Sequence, residues 1–183
     1  MDGRDLGQAV ARVNPGEGSP PLSVRRAFAG KHVLVTGTTG FVGKVLLALI
    51  AAEVPDIRRV SVLVRTNRDY PNARDRFDAI IVLSEPFQAV AERIGHEALE
   101  RFCNEKVNVV AGDVTFDRLG LSADDYAELT ERDPLDLILH CAGNVNFNPP
   151  LDQALSVNTL GVGHKLELAR AAGAGAVRRQ REP

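Results

Sequence analysis

His32-Val33-Leu34-Val35-Thr36 runs directly into Gly37-Thr38-Thr39-Gly40-Phe41-Val42-Gly43, and Val45, Leu46, Leu49 and Ile50 follow at helical spacing. The first run is short, apolar and rich in β-branched residues, as a buried strand is. The spacing after it predicts a helix over residues 41–54. Three glycines thus sit in a strand-to-helix turn. A diphosphate needs such a turn, with no side chains in its way and free backbone N–H groups pointing at it. Gly37 allows the tight bend, Gly40 lets phosphates approach the backbone, and Gly43 lets the helix pack close to the sheet. The helix N-terminus adds partial positive charge. Thr36, Gly37, Thr38, Thr39, Gly40, Phe41, Val42 and Gly43 are therefore candidate dinucleotide-binding residues. A glycine trio alone is weak evidence, and a plain strand-to-helix turn is the simpler reading. The strand before it and the helix after it favour the nucleotide site.

Outward from that turn the pattern repeats. Val60 to Val64 reads as a second strand, Val107 to Ala111 as a third and Leu135 to His140 as a fourth. Residues 72–104 read as helical, broken near Ser84-Glu85-Pro86 and at Gly95. Ser122 is placed to cap a helix over residues 123–132. Pro149-Pro150 opens a last helix over residues 151–172. Strands alternating with helices imply a parallel sheet with helices on both faces. Apolar runs in the strands fit burial on both sides. The fold class is α/β, a Rossmann-type doubly wound sheet. Right-handed crossovers favour strand order 3-2-1-4. The sheet is expected to be incomplete at its carboxy-terminal side, with residues 174–177 supplying at most a stub of a fifth strand. Residues 1–29 read as a flexible leader with a short helix near residues 6–13, residues 30–177 as an NAD(P)-binding domain, and residues 178–183 as a polar tail.

The remaining strand ends carry the other candidates. After the second strand an acid would bond the ribose 2′-OH of NAD, whereas a base would accept the 2′-phosphate of NADP. Arg65 stands there with Arg68 nearby, and a guanidinium suits phosphate by donating two parallel hydrogen bonds. This favours NADPH; Asp69 keeps NADH as the alternative. Asp113 can accept from the adenine amino group while Val114 packs on the ring, although Asp is also an ordinary turn residue. Ala142 and Gly143 leave room for the nicotinamide ribose. Asn158 is expected to do a buried job, bonding backbone or water, because asparagine is a mediocre helix former.

Other residues read more plainly. His140 ends a strand near the site and is taken as a packing or polar-edge residue. Cys141 is taken as an inert thiol, since nothing supplies a paired base. His32, His96 and His164 are scattered and make no metal set. Phe147, Pro149 and Pro150 are candidates to wall the substrate side. Glu97, Glu100, Arg101 and Glu105 fit a solvated helix face. No catalytic or metal-binding residue is assigned.

The chain has 183 residues and a formal net charge of -2, which gives no long-range field to gather nucleic acid or anionic lipid. Two cysteines without metal or CxxC spacing suggest a reduced, cytoplasmic protein. The longest apolar run, residues 45–52, is far short of the ~18 residues of a membrane span.

Thr-Gly-x-x-Gly-Phe-x-Gly at residues 36–43 resembles the extended short-chain dehydrogenase/reductase superfamily. Within it the chain is similar to fatty acyl-CoA reductases and thioester reductase domains. Leu63-Val64-Arg65, Ala111-Gly112-Asp113-Val114, and the run His140-Cys141-Ala142-Gly143-Asn144-Val145-Asn146-Phe147 carry that likeness. Pro150-Leu151 and Val157-Asn158-Thr159-Leu160-Gly161 extend it. The resemblance covers residues 31–172. It implies NADPH-dependent reduction of a fatty acyl thioester to an aldehyde, often onward to an alcohol, with acyl-CoA as the substrate partner. It also implies a catalytic Ser or Thr on a fifth strand, and a Tyr-x-x-x-Lys pair on the next helix. That pair does not occur: Tyr70 is followed four residues on by Arg74, and Tyr126 by Thr130. The expectation is an amino-terminal, cofactor-binding piece, ended by truncation or a frame shift near Ala176, with little turnover alone.

Two other functions compete. An NAD-dependent nucleotide-sugar epimerase or dehydratase would call for an acid after the second strand, against which Arg65 and the long helical insert argue. A non-catalytic dinucleotide-binding module fits the missing Tyr and Lys.

Overall fold

A computed structural model describes residues 23–146 and 148–174. Strand β1 (His32–Thr36) is buried along its whole length. It pairs in parallel with β2 (Arg59–Val64) on one side and β4 (Leu137–His140) on the other, and β2 pairs with β3 (Val107–Ala111). The order is β3-β2-β1-β4, the order that right-handed crossovers dictate.

Side chains alternate across the sheet. Val33 and Val35 join one core with Leu47, Ile50, Phe77, Phe87 and Phe102. Leu34 joins another with Leu63, Val110, Leu129 and Leu168. The first core is roofed by α2 (Phe41–Glu53), α3 (Ala73–Phe77), α4 (Glu85–Ile94) and α5 (His96–Arg101). The second is covered by α6 (Ala123–Ala127) and α8 (Gly161–Ala171). A short α7 (Leu151–Leu155) joins α8 through a π-helical turn, Ser156–Leu160. The double winding leaves the C-terminal ends of all four strands on one edge, with the change of winding direction between β1 and β4. A crevice forms at such a switch point.

The helical insert breaks where its sequence suggests. Pro86 sits in the first turn of α4, and Gly95 separates α4 from α5 with φ +93. Ser122 caps α6 by accepting from the Asp125 amide. Glu97, Glu100, Arg101 and Glu105 are exposed.

Three details differ from expectation. Val24–Phe28 forms a helix, α1, inside the stretch read as leader: Ser23 accepts from the Arg26 amide, and Phe28 packs against the first core. The fourth strand begins at Leu137 rather than Leu135, because Leu135 is buried in the second core and the Asp136 carboxylate accepts the His32 amide. Burial on both faces holds for β1 and β2 but not for β3 and β4, which are partly exposed because each has a strand neighbour on one side only among the described residues. The helix expected at residues 6–13 and the tail lie outside the described residues, as does all of the expected strand stub but Ala174.

Candidate functional site

The turn after β1 is fixed by backbone contacts that exclude side chains. Gly37 has φ +75, and a Cβ there would sit 2.4 Å from the Ala142 amide nitrogen. The end of β1 is thereby clamped against the segment leaving β4. A Cβ on Gly43 would lie 2.3 Å from the Gly37 carbonyl oxygen, so this glycine lets the helix close on the turn itself rather than on the sheet. Gly40 caps the helix with extended backbone, and no side chain caps it. The first amides of a thirteen-residue helix are left for something else to satisfy.

These elements line a cavity of about 620 Å³. It gathers Gly37, Thr39 and Gly40 from the turn, Arg65 from beyond β2, Asp113 and Val114 from beyond β3, and Ala142 and Gly143 from beyond β4. Eight predicted site residues, far apart in sequence, thus surround one space. Cys141 also lines it, and burial raises its thiol pKa, consistent with an inert role. Thr115, Gln153, Ser156 and Val157 complete parts of the wall.

The other predicted residues stand elsewhere. Thr36 is fully buried and hydrogen-bonded to His140 Nδ1 at 2.6 Å, so it supports the turn from below. Thr38 is fully buried, with its hydroxyl unpartnered. Gly43 lies beneath the turn. Phe41 and Val42 are exposed on the helix and do not face the cavity. Arg68 and Asp69 are exposed and away from it. Asn158 is exposed rather than buried, but it does bond backbone: its Oδ1 accepts the Asn144 amide at 2.8 Å and its Nδ2 donates to the Asn144 carbonyl at 3.1 Å. Phe147 lies outside the described residues, and Pro149 and Pro150 are not in the cavity wall.

Asp113 does the work of a turn residue and also faces the cavity. One carboxylate oxygen accepts both the amide and the hydroxyl of Thr115, each at 2.9 Å. The other faces Arg65 Nη1 at 3.7 Å. Val114 is buried in the second core as well as lining the cavity.

Three residues escaped the sequence reading. Arg76 donates to the Arg65 carbonyl, and its Nε is buried without a partner; no local signal marks it. Lys165 is 5% exposed, its amine has no hydrogen-bond partner among the described residues, and burial lowers its pKa to about 8. Its spacing with Gly161 and Leu168 on the core face of α8 was the available signal. His32 is fully buried: Nδ1–H donates to the Asp133 carbonyl at 2.7 Å, leaving Nε2 to accept from Ser61 at 2.8 Å. Burial, with Arg58 and Arg59 nearby, lowers its pKa to about 4. His140 is lowered by burial and by Lys165. Among the described residues no cluster could hold a metal ion, and no helix is long and apolar enough to cross a membrane.

Comparison with known proteins adds to this geometry. An NAD-binding family model described as Male sterility protein matches residues 35–178. The chain is 32% identical over 140 residues to probable fatty acyl-CoA reductase 4 of Arabidopsis thaliana, covering 76% of this chain and 28% of that protein. Among solved structures it resembles the terminal R domain of the myxalamid PKS-NRPS pathway, with TM-score 0.58 and 28% identity over 84% of this chain and 34% of that one. A reductase domain of a non-ribosomal peptide synthetase from Mycobacterium tuberculosis aligns with TM-score 0.56 and 28% identity, over 76% and 30% of the two chains. The chain therefore spans less than a third of the curated relative it matches.

Proposed function

Since the chain belongs to the NAD-binding family described as Male sterility protein, we propose that it is the cofactor-binding portion of an NADPH-dependent acyl-thioester reductase. The substrate class is a fatty acyl-CoA, reduced to aldehyde or alcohol by the complete enzyme. One observation carries the cofactor reading: the uncapped N-terminus of α2 and the guanidinium of Arg65 open on the same cavity. A diphosphate satisfies the first, and a 2′-phosphate satisfies the second.

The residues present fit a nicotinamide dinucleotide. The backbone of Gly37, Thr39 and Gly40 would hold its diphosphate, Arg65 its 2′-phosphate, and Asp113 with Val114 its adenine. Ala142 and Gly143 would leave room for the nicotinamide ribose. When bound, the nicotinamide supplies a hydride to the thioester carbonyl. Asn158 keeps the segment beyond β4 in place beside that end. Buried Thr36, hydrogen-bonded to the exposed His140 at the end of β4, braces the turn from beneath. The chain contains no Tyr-x-x-x-Lys pair, so its residues are assigned to cofactor binding and not to proton donation. General acid catalysis is worth about 10²–10⁴-fold in such reactions.

Nicotinamide fluorescence with NADPH and NADH tests the cofactor reading. NADPH is expected to bind about tenfold tighter, roughly 1.4 kcal/mol, and Arg65→Ala to erase that difference. Failure of both cofactors to bind at millimolar concentration would sink it. Turnover of a long-chain acyl-CoA by this chain alone would refute the assignment of these residues to cofactor binding only. Restored activity on adding a carboxy-terminal fragment of a relative would favour the reductase over a non-catalytic dinucleotide-binding module.

A further inference from the structure

Arg65 and Asp113 face each other across the cavity, and the two ends of that contact are unequal. The Arg65 side chain is 69% exposed; that of Asp113 is 19% exposed. Asp113 is pinned by two hydrogen bonds from Thr115, and its own amide donates to the Leu119 carbonyl at 2.8 Å. Its carboxylate cannot swing away without giving up the first pair. Arg65 is the more exposed partner. It reaches toward a fixed anion at 3.7 Å, a loose contact that leaves most of its donors free.

We propose that Asp113 is a specificity-determining residue: anchored by Thr115, it shares the charge of Arg65 and so limits the preference for a 2′-phosphorylated dinucleotide over an unphosphorylated one. The inference rests on the reading that Arg65 meets the 2′-phosphate. A phosphate dianion held by Arg65 also feels the carboxylate that Arg65 leans on, and at this range salt screens the repulsion only in part. A neutral 2′-hydroxyl feels almost none of it. The charge of Asp113 therefore acts on one cofactor and spares the other, and the site keeps some tolerance for both.

The test is a double-mutant cycle on the full chain, titrated with NADPH and with NADH. Asp113→Asn removes the charge and keeps a carbonyl oxygen for Thr115. Loss of the adenine contact weighs equally on both cofactors, so the readout is their ratio: the NADPH-over-NADH affinity ratio is expected to rise by about three- to tenfold, and in an Arg65→Ala background that gain should shrink to within about twofold. Asp113→Ser, which keeps a hydroxyl acceptor for the Thr115 amide, provides a second variant with the same expected direction. Equal shifts for both cofactors, or a lower NADPH-over-NADH ratio, overturn the proposal. A gain that persists without Arg65 overturns it too, while leaving the Arg65 reading intact. If Arg65→Ala leaves the wild-type NADPH preference unchanged, the Arg65 reading itself fails, and the proposal with it.

Discussion

Asn158 holds both backbone polar groups of Asn144: its side-chain carbonyl accepts the Asn144 amide and its side-chain amide donates to the Asn144 carbonyl, at 2.8 and 3.1 Å. One side chain thus stands in for the strand neighbour that the segment beyond β4 lacks among the described residues. It does so from a π-helical turn, Ser156–Leu160, a distortion often found where helices carry function. Asn144 in turn accepts the Asn146 amide at 3.1 Å, so the clamp orders several residues of the cavity wall.

Asn158→Ala should free that wall. Each hydrogen bond is worth about 0.5–1.5 kcal/mol net, and the site is exposed, so a stability loss of about 1–2 kcal/mol is expected. NADPH affinity should fall as the wall loosens. Asn158→Asp keeps the acceptor and loses the donor, and should fall between. Urea unfolding and cofactor titration that match wild type in both variants would remove the clamp from the account.

The glycines of the turn should separate by what a methyl group would meet. On Gly43 it would strike the Gly37 carbonyl and Thr38 Cα, which are backbone and cannot yield. Gly43→Ala should cost about 1–3 kcal/mol or more and abolish dinucleotide binding. On Gly40 the nearest atom is 3.3 Å away and φ is -83, so the chain should tolerate it. Gly40→Ala should melt close to wild type yet bind NADPH about tenfold or more weakly, because the methyl stands where phosphates approach. Equal binding by Gly40→Ala and wild type would contradict the proposed path of the diphosphate.

Lys165 should be a stability liability. Its amine is buried without an acceptor, and its pKa falls from 10.5 to about 8. The unfolded chain then holds the proton more tightly between pH 8 and 10.5, so stability should rise with pH across that window. Below about pH 8 both states are protonated, and the penalty, on the order of 3 kcal/mol, is constant. Lys165→Met should raise the melting temperature at pH 7, and its advantage should shrink toward pH 10. A Lys165→Met melting curve no higher than wild type at pH 7 would mean that the amine has found an acceptor.

His32 sets an acid limit. Its pKa drops from 6.5 to about 4, first through burial and then through Arg58 and Arg59. The unfolded chain takes up a proton that the native site refuses, so the stability contribution is complete above pH 6.5 and is lost as pH falls toward 4. The amount is on the order of 3 kcal/mol. Chemical denaturation at successive pH values should show that slope in wild type and a flatter one in His32→Gln. Parallel slopes would place the acid sensitivity in other groups.

Much of the frame was legible in the sequence. Strands β1 to β3 and the glycine turn are marked by local runs of side chains, and handedness then orders the sheet. The site was legible where its residues stand at strand ends: Gly37, Gly40, Arg65, Asp113, Ala142 and Gly143 meet at one cavity because parallel strands deliver their C-terminal ends to one edge. Thr36, Thr38, Phe41 and Val42 belong to the same motif yet turn elsewhere, since a motif fixes the path of the backbone and not the direction of each side chain.

The sequence by itself determined that this chain winds a parallel sheet around a bare, glycine-lined turn, because strand length, helical spacing and the lack of side chains are properties of neighbouring residues. Only the tertiary structure decided which groups are buried, bridged or left alone. His140 supports Thr36 across 104 positions of chain, His32 finds the Asp133 carbonyl 101 positions away, and Lys165 finds no hydrogen-bond partner among the described residues. Burial and hydrogen bonding depend on what distant segments bring to the same place, and no local pattern records that.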